Sequence, residues 1–145
     1  MQCAVEMEIG NTVSIIHIAA TLMMVGIIWF VQIVHYPLFS MVGEKNFREY
    51  EQRHTQLTGW VVGPLMALEL TSAIILQWLS PANISNSGLW AGLILLTIIW
   101  TSTVFIQVPL HMQLIKGFDA KKQRRLVQSN WIRTAAWSLR GIVLL

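Results

Sequence analysis

Charged residues are scarce in this sequence. Asp, Glu, Lys and Arg make up 12% of its 145 residues, whereas hydrophobic residues make up 54%. Soluble domains carry about 25% charged residues, so the composition argues against a water-soluble domain and predicts an integral membrane protein in contact with a lipid bilayer. The net charge of +3 then reflects basic residues gathered on one side of the membrane, and we do not expect nucleic acid as a partner.

Cysteine is nearly absent too, and the motifs that need it are excluded. Cys3 is the only cysteine, so the chain can form no internal disulfide and no metal site of cysteine thiolates. A di-iron carboxylate centre is not expected either, because such bundles need two Glu-x-x-His motifs. This chain contains one such motif, formed by Glu51 and His54.

Four apolar runs are long enough to cross a bilayer. They lie at residues 12–36, 60–79, 89–115 and 126–145, and a membrane-spanning helix needs about 20 apolar residues. Glu6 and Glu8 precede the first run where a secretion signal would carry basic residues, so we expect this run to remain as a helix. The sequence thus predicts a single all-α domain over residues 1–145, an integral membrane four-helix bundle.

Basic residues are concentrated in two of the three connections. The connections between runs one and two and between runs three and four contain Lys45, Arg48, Arg53, Lys116, Lys121, Lys122, Arg124 and Arg125. By the positive-inside rule both connections face the cytoplasm, so we expect both termini outside, in a bacterial inner membrane. The first connection is patterned like a helix, with Phe47, Tyr50 and His54 on one face, which predicts that helix 2 extends into the cytoplasm.

Three histidines are predicted to converge at the cytoplasmic ends of the helices. His35 ends the first span, His54 precedes the second and His111 ends the third. Neutral imidazoles bind zinc, copper and iron, so the cluster predicts a site for one of these metals or for haem. Histidines that merely sit at the membrane boundary are the alternative.

Further polar and aromatic residues are expected beside the histidines. Each of two glutamines lies one helical turn deeper than a histidine, and the fourth span carries a stripe of polar and aromatic residues. Most tryptophans lie near span ends, as an aromatic belt predicts, and only two are deep enough to line a pocket. The residues predicted to line the pocket are Gln32, Trp100, Gln107, Asn130, Arg133 and Trp137.

Glu69 is the acidic residue predicted to lie deepest in the membrane. It lies nine residues beyond Trp60, about 13 Å deep at about 1.5 Å per residue. A charge at that depth costs at least about 2.5 kcal/mol on insertion scales, so a partner is required. Arg133 lies at a similar depth in the fourth span, and we predict a contact between Glu69 and Arg133.

The third and fourth spans carry a pattern that resembles a known family. The third span ends F-x-x-V-P-L-His111-x-x-L, and the fourth contains Asn130-x-Ile132-Arg133-Thr134. This pattern resembles the anthrone-oxygenase-like family of small four-helix membrane proteins, in which V-P-L-N is followed by N-H-x-R-T. Asn130, Arg133 and Thr134 match, whereas His111 stands where the family commonly has Asn and Trp131 where it commonly has His. For the subset of members with a named activity, the resemblance implies oxidation of an anthrone to an anthraquinone with molecular oxygen.

Two classes of function fit these features. The first is a membrane-embedded oxidoreductase or oxygenase that acts on an apolar aromatic or quinone-like substrate in a pocket on the cytoplasmic side. In it, Asn130 and Gln107 would orient a carbonyl or phenol, Arg133 would stabilise an oxyanion and Glu69 would complete the polar set. The second is a non-catalytic membrane binder of haem, metal or quinone, or an assembly factor. The residues alone do not decide between them, and a homo-oligomer is compatible with both.

Overall fold

Helices make up the regular structure of the protein. The computed structural model describes residues 2–79, 81 and 84–144, with side chains from residue 5 onward. Leu145, where the fourth predicted span ends, lies outside the described residues. No strand occurs within the described ranges, which confirms the all-α class.

Four long helices, α1 to α4, form the bundle. α1 is α-helical over Gln2–Phe30, continues through a π-helical turn at Val31–His35 and ends with Tyr36–Leu38 and a 3-10 turn at Phe39–Met41. α2 spans Glu44–Leu79 without interruption. α3 comprises Asn86–Ser102, a π-helical turn at Thr103–Gln107 and Val108–Leu114. α4 spans Ala120–Val143. The predicted extension of helix 2 is therefore helical from Glu44 onward.

A tight turn joins α1 to α2 and brings His35 and His54 together. Gly43 has a φ of 79°, a left-handed conformation that glycine adopts without the steric cost of a Cβ atom. The chain reverses direction within two residues, so that the last turns of α1 lie beside the first turns of α2.

Both π-helical turns precede a proline. Pro37 and Pro109 each follow the last residue of a π-helical turn by two positions. Proline has no backbone N–H and its ring crowds the carbonyl four residues earlier, so the helix widens by one residue where that hydrogen bond is lost. Each wide turn changes the direction of the side chains around it, and His35 and Gln107 occupy the equivalent last position of the two turns.

The outer surface of the bundle suits a lipid environment. Three helices in the described part of the chain are long and apolar enough to cross a membrane: Val5–Met41, Glu44–Leu79 and Asn86–Leu114. α4 is more polar, but its polar side chains Asn130, Arg133 and Arg140 are buried within the bundle, whereas Ile142 on its outer face is 72% exposed. This inverted pattern is typical of a helix that faces lipid on one side and polar partners on the other.

The predicted contact between Glu69 and Arg133 is wrong. Glu69 pairs instead with Arg140, whose Nε lies 3.3 Å from Glu69 Oε1, and both side chains are fully buried. Glu69 also accepts hydrogen bonds from Thr21 at 2.7 Å and from the indole of Trp137 at 3.0 Å. Because Glu69 accepts this bond from Trp137, it lies about level with Trp137, which stands between the two arginines along α4. Because helical side chains tilt toward the N-terminus, Arg140 reaches back to Glu69 while Arg133 points away.

His17 belongs to the same buried network. Its Nδ1 lies 2.6 Å from the Ser72 hydroxyl, and its Nε2 lies 2.8 Å from Arg140 Nη2. Arg140 also donates to the Gly92 carbonyl. His17 is therefore a hydrogen-bonding residue in helix packing, and the network joins all four helices.

Candidate metal and ligand site

The three histidines of the predicted cluster come together where α1, α2 and α3 meet. His35 Nε2 lies 2.8 Å from His54 Nδ1, and the two rings are 4.6 Å apart between centroids. The His54 and His111 rings are 5.3 Å apart. His54 is buried, whereas the other two are partly buried. The convergence inferred from helix order therefore occurs in the structure.

Glu51 completes this cluster and was not among the predicted site residues. It is fully buried, and its Oε1 lies 2.5 Å from His111 Nδ1. Its other carboxylate oxygen, Oε2, has no hydrogen-bond partner within the described part of the chain. The sequence contained a signal for it, because Glu51 lies on the same helical face as Phe47 and His54.

Tyr36 links the cluster to the fourth helix and was also missed. Its hydroxyl lies 2.9 Å from His111 Nε2 and interacts with the guanidinium of Arg133. The ring is buried, with 4% of its surface exposed. Glu51, His111, Tyr36 and Arg133 thus form a continuous line of polar groups from α2 to α4.

A cavity of about 330 Å³ lies beside this line of polar groups. All four helices contribute to its wall. Its apolar part includes Met24, Ile28, Val62, Met66 and Val108. Its polar part includes Tyr36, His54, Gln107, His111 and Arg133. The cavity is therefore amphipathic, and its polar part coincides with the histidine cluster.

Several polar atoms of the cavity wall lack partners. Gln107 Oε1, Arg133 Nε and Trp100 Nε1 are buried without a hydrogen bond to any described residue, and all three residues line the cavity. Buried polar groups in folded proteins are nearly always hydrogen-bonded to protein or to another molecule. The wall thus offers two donors and one acceptor to whatever occupies the cavity.

Gln32 and Asn130 hold Arg133 in place and do not line the cavity. Asn130 Nδ2 donates to Gln32 Oε1 at 3.0 Å, and Arg133 Nη1 donates to Asn130 Oδ1 at 3.3 Å. Gln32 also donates to the Val127 carbonyl at 3.2 Å. In the structure the two amides therefore orient the guanidinium, and their predicted contact with a substrate or cofactor stays a prediction.

The remaining predicted residues lie outside the cavity wall. Trp137 is fully buried, and the Arg133 guanidinium lies 5.2 Å from its ring centroid. Glu69 belongs to the separate network with Arg140. His35 contacts His54 but is not among the residues that line the cavity. Gln107, Trp100, Arg133, His54 and His111 are the predicted residues that reach it.

The fold and site define a helical membrane-protein bundle with a buried polar centre beside an apolar cavity. No protein-family model, no curated protein and no solved structure matches the chain. The chemistry of the site must therefore be inferred from its own residues.

Proposed function

We propose that the chain is a membrane-embedded oxidoreductase of the oxygenase type, which oxidises an apolar aromatic or quinone-like substrate bound in the cavity. The main support is a set of buried polar atoms, without hydrogen bonds to the described part of the chain, on residues that line an otherwise largely apolar cavity. Such a wall suits a molecule with an aromatic body and one polar edge, and small-molecule sites have volumes from about 300 Å³ upward.

The polar atoms fit a substrate that carries a carbonyl or a phenol. Arg133 Nε and Trp100 Nε1 donate, so they can bind a carbonyl or phenolate oxygen, whereas Gln107 Oε1 accepts and can bind a phenol O–H. The apolar wall around Met24 and Met66 can pack against fused rings. The positive charge of Arg133 favours the ionised form of such a substrate.

The resemblance to anthrone-oxygenase-like proteins suggests a reaction that suits this arrangement. The methylene group of an anthrone loses a proton, and the resulting negative charge lies largely on the carbonyl oxygen, where Arg133 can stabilise it. The proton moves to the polar part of the cavity, where His54 and His111 lie. The anion forms a C–O bond with molecular oxygen and regains the proton as a hydroperoxide. The O–O bond then breaks as water leaves, so that CH₂ and O₂ give C=O and H₂O.

Oxygen uptake by the purified protein tests the proposal. With anthrone as the probe, we expect uptake of oxygen and formation of anthraquinone, followed by absorbance. Arg133→Gln should lower the rate about 10²-fold or more, as the loss of an oxyanion-stabilising donor does in other enzymes. Arg124→Gln is the matched control, because Arg124 is exposed on the same helix and should leave the rate unchanged.

Binding measured without turnover separates the two functional classes. Quenching of tryptophan fluorescence by anthrone reports occupation of the cavity, since Trp100 lies in its wall. Binding together with oxygen uptake supports the enzyme. Binding without uptake of oxygen, for anthrone and for a panel of phenols and quinols, favours the non-catalytic binder or assembly factor. Absence of both contradicts the proposal.

We also propose that the connections rich in Lys and Arg face the cytoplasm of a bacterial inner membrane, with both termini outside. The basic residues of these connections support this orientation by the positive-inside rule. Alkaline phosphatase fused to the C-terminus should then be active, and a green fluorescent protein fused there should remain dark. The opposite result for both reporters would reverse the orientation.

A further inference from the structure

We propose that Glu51, His54 and His111 bind a divalent transition metal, and that His35 is a positioning residue for His54 and not a ligand. One nitrogen from each of the two imidazoles and one carboxylate oxygen lie within 4.8 Å of one another. Ligands that share a metal at about 2.1 Å lie about 3 Å apart, so small side-chain rotations would bring the three atoms to a common ion.

The carboxylate supplies the strongest independent observation. Glu51 is fully buried, yet only one of its two oxygens has a partner among the described residues, and that partner is the imidazole of His111. Burial of a carboxylate with an unsatisfied oxygen is costly, and such a group in a folded protein indicates an ion or water that completes it. A divalent cation can bind the free oxygen and balance the negative charge.

Each imidazole already has a partner for its second nitrogen. His111 Nε2 lies 2.9 Å from the Tyr36 hydroxyl, whereas its Nδ1 contacts Glu51 Oε1, and a metal bound between these two atoms would replace that contact. His54 Nδ1 lies 2.8 Å from His35 and 3.1 Å from the Thr58 hydroxyl, which leaves Nε2. Metal-binding histidines usually have the other ring nitrogen fixed by a hydrogen bond in this way.

His35 is thereby given a different role from the one the sequence suggested. Its Nε2 is directed at His54 Nδ1, and it is not part of the group whose ligand atoms lie close together. As the acceptor of a hydrogen bond from His54, it would fix the tautomer that leaves His54 Nε2 unprotonated. The predicted set of three histidines becomes two histidines and one carboxylate.

This ligand set deepens the proposed function and rests on it for its chemical consequence. Two histidines and a carboxylate leave open positions on the metal, as in non-haem Fe(II) oxygenases. His54 and His111 line the cavity, so an ion held by these residues would lie beside the substrate. It would lower the pKa of a coordinated water and so supply a base there.

Metal titration of the purified protein tests the site without any substrate. The protein is purified with a tag that lacks histidine, stripped with a chelator and titrated with Co(II) or, without oxygen, Fe(II). We expect one ion per chain by elemental analysis and a d–d absorption spectrum with Co(II). Glu51→Gln, which keeps the shape of the side chain, should lower the affinity at least about 100-fold. Glu49→Gln is the matched control, since Glu49 is 81% exposed on the same helix, and should bind as the wild type does.

The His35 variant distinguishes a positioning residue from a ligand. His35→Gln should keep one ion per chain, with an affinity about 10- to 100-fold lower, as for other partners of metal-binding histidines. An unchanged Co(II) spectrum in this variant supports the positioning role. Loss of the ion in His35→Gln together with normal binding in Glu51→Gln would overturn the proposal in favour of three histidine ligands, and absence of stoichiometric binding to the wild type would overturn the site altogether.

Two measurements distinguish a loss of metal binding from a folding defect and from a failure of the proposed function. Co(II) should raise the Tm of the wild type and not that of His111→Asn, a second ligand variant whose helical content is checked by circular dichroism; an equal rise in both would contradict the site. Anthrone binding to Glu51→Gln should persist, because Arg133, Gln107 and Trp100 are unchanged. Metal binding and ligand binding can therefore fail separately.

Discussion

The buried ion pair between Glu69 and Arg140 should be a principal contribution to the stability of the bundle. Arg140→Gln removes the cation whose Nε lies 3.3 Å from Glu69 Oε1. The carboxylate keeps the hydroxyl of Thr21 and the indole of Trp137 as donors, but loses its only cationic partner in the described part of the chain. His17 and the Gly92 carbonyl also lose a donor.

The expected size of the effect follows from two bounds. Breaking a buried ion pair in a soluble protein costs about 3–5 kcal/mol. Neutral hydrogen bonds between membrane helices contribute about 0.6 kcal/mol on average and about 1.7 kcal/mol at most, because the unfolded helices find other partners in the membrane. The pair is charged and fully buried, so we expect Arg140→Gln to lower the free energy of unfolding by about 3 kcal/mol. The coupling energy between Glu69 and Arg140 should exceed about 1.7 kcal/mol.

A double-mutant cycle measures that coupling. Glu69→Gln, Arg140→Gln and the double variant are unfolded by SDS in mixed micelles, and tryptophan emission follows the transition. A second cycle combines Glu69→Gln with Arg133→Gln. The Arg133 guanidinium lies over the ring of Trp137, so this cycle should give a smaller coupling energy. A coupling near zero for Glu69 and Arg140, or a larger one for Glu69 and Arg133, would refute the assigned pairing.

Three further predictions concern helix packing, a helix cap and the cavity. Gly88→Ala should lower the free energy of unfolding by about 1–3 kcal/mol, because the new Cβ would lie 3.2 Å from a backbone carbonyl of α4; Gly26→Ala, with no atom within 4 Å, should raise it by about 0.5–1 kcal/mol in the same SDS assay. The backbone amides of Lys122 and Lys121 hold the pKa of Asp119 below its usual value. The stability that this cap gives to α4 is therefore fully present above the pKa of Asp119 in the unfolded chain, and it is lost as the pH falls through the lowered pKa. The difference in Tm between wild type and Asp119→Ala should be seen at neutral pH and vanish in acid. Trp100→Phe should weaken binding of anthrone, which has a carbonyl, and leave binding of anthracene, which has none, unchanged in equilibrium dialysis.

The four helices could be predicted from the sequence, but their ends could not. Long apolar runs mark where a chain can contact lipid, and each of the four predicted spans lies on a helix over nearly all of its described residues. α1 begins at Gln2, ten residues before its apolar run, and includes Glu6 and Glu8, which are exposed. Hydropathy reports the environment of a helix, whereas hydrogen bonding of the backbone decides its length, so polar turns beyond the membrane are invisible to it.

The histidine cluster could be predicted because it depends only on the order of helix ends. Glu51 was harder to predict as a member of the site, because it lies in a charged stretch in which Glu49 and Arg53 are solvated. Its burial depends on contact with His111, which is 60 residues away in the chain. The predicted partner of Glu69 was wrong for a related reason, since depth counted along each helix ignores the direction in which a long side chain points.

The two halves of the bundle share one backbone feature, but the side chains that it orients have different contacts. Each half has a π-helical turn two residues ahead of a proline, and the last residue of that turn is His35 in α1 and Gln107 in α3. His35 is directed at His54, whereas Gln107 lines the cavity and its Oε1 has no hydrogen bond to any described residue. Because the backbone cause is the same proline effect in both, the difference lies in the side chain alone. In the proposed function, the first half would orient the metal ligands, and the second would present a hydrogen-bond acceptor to the substrate.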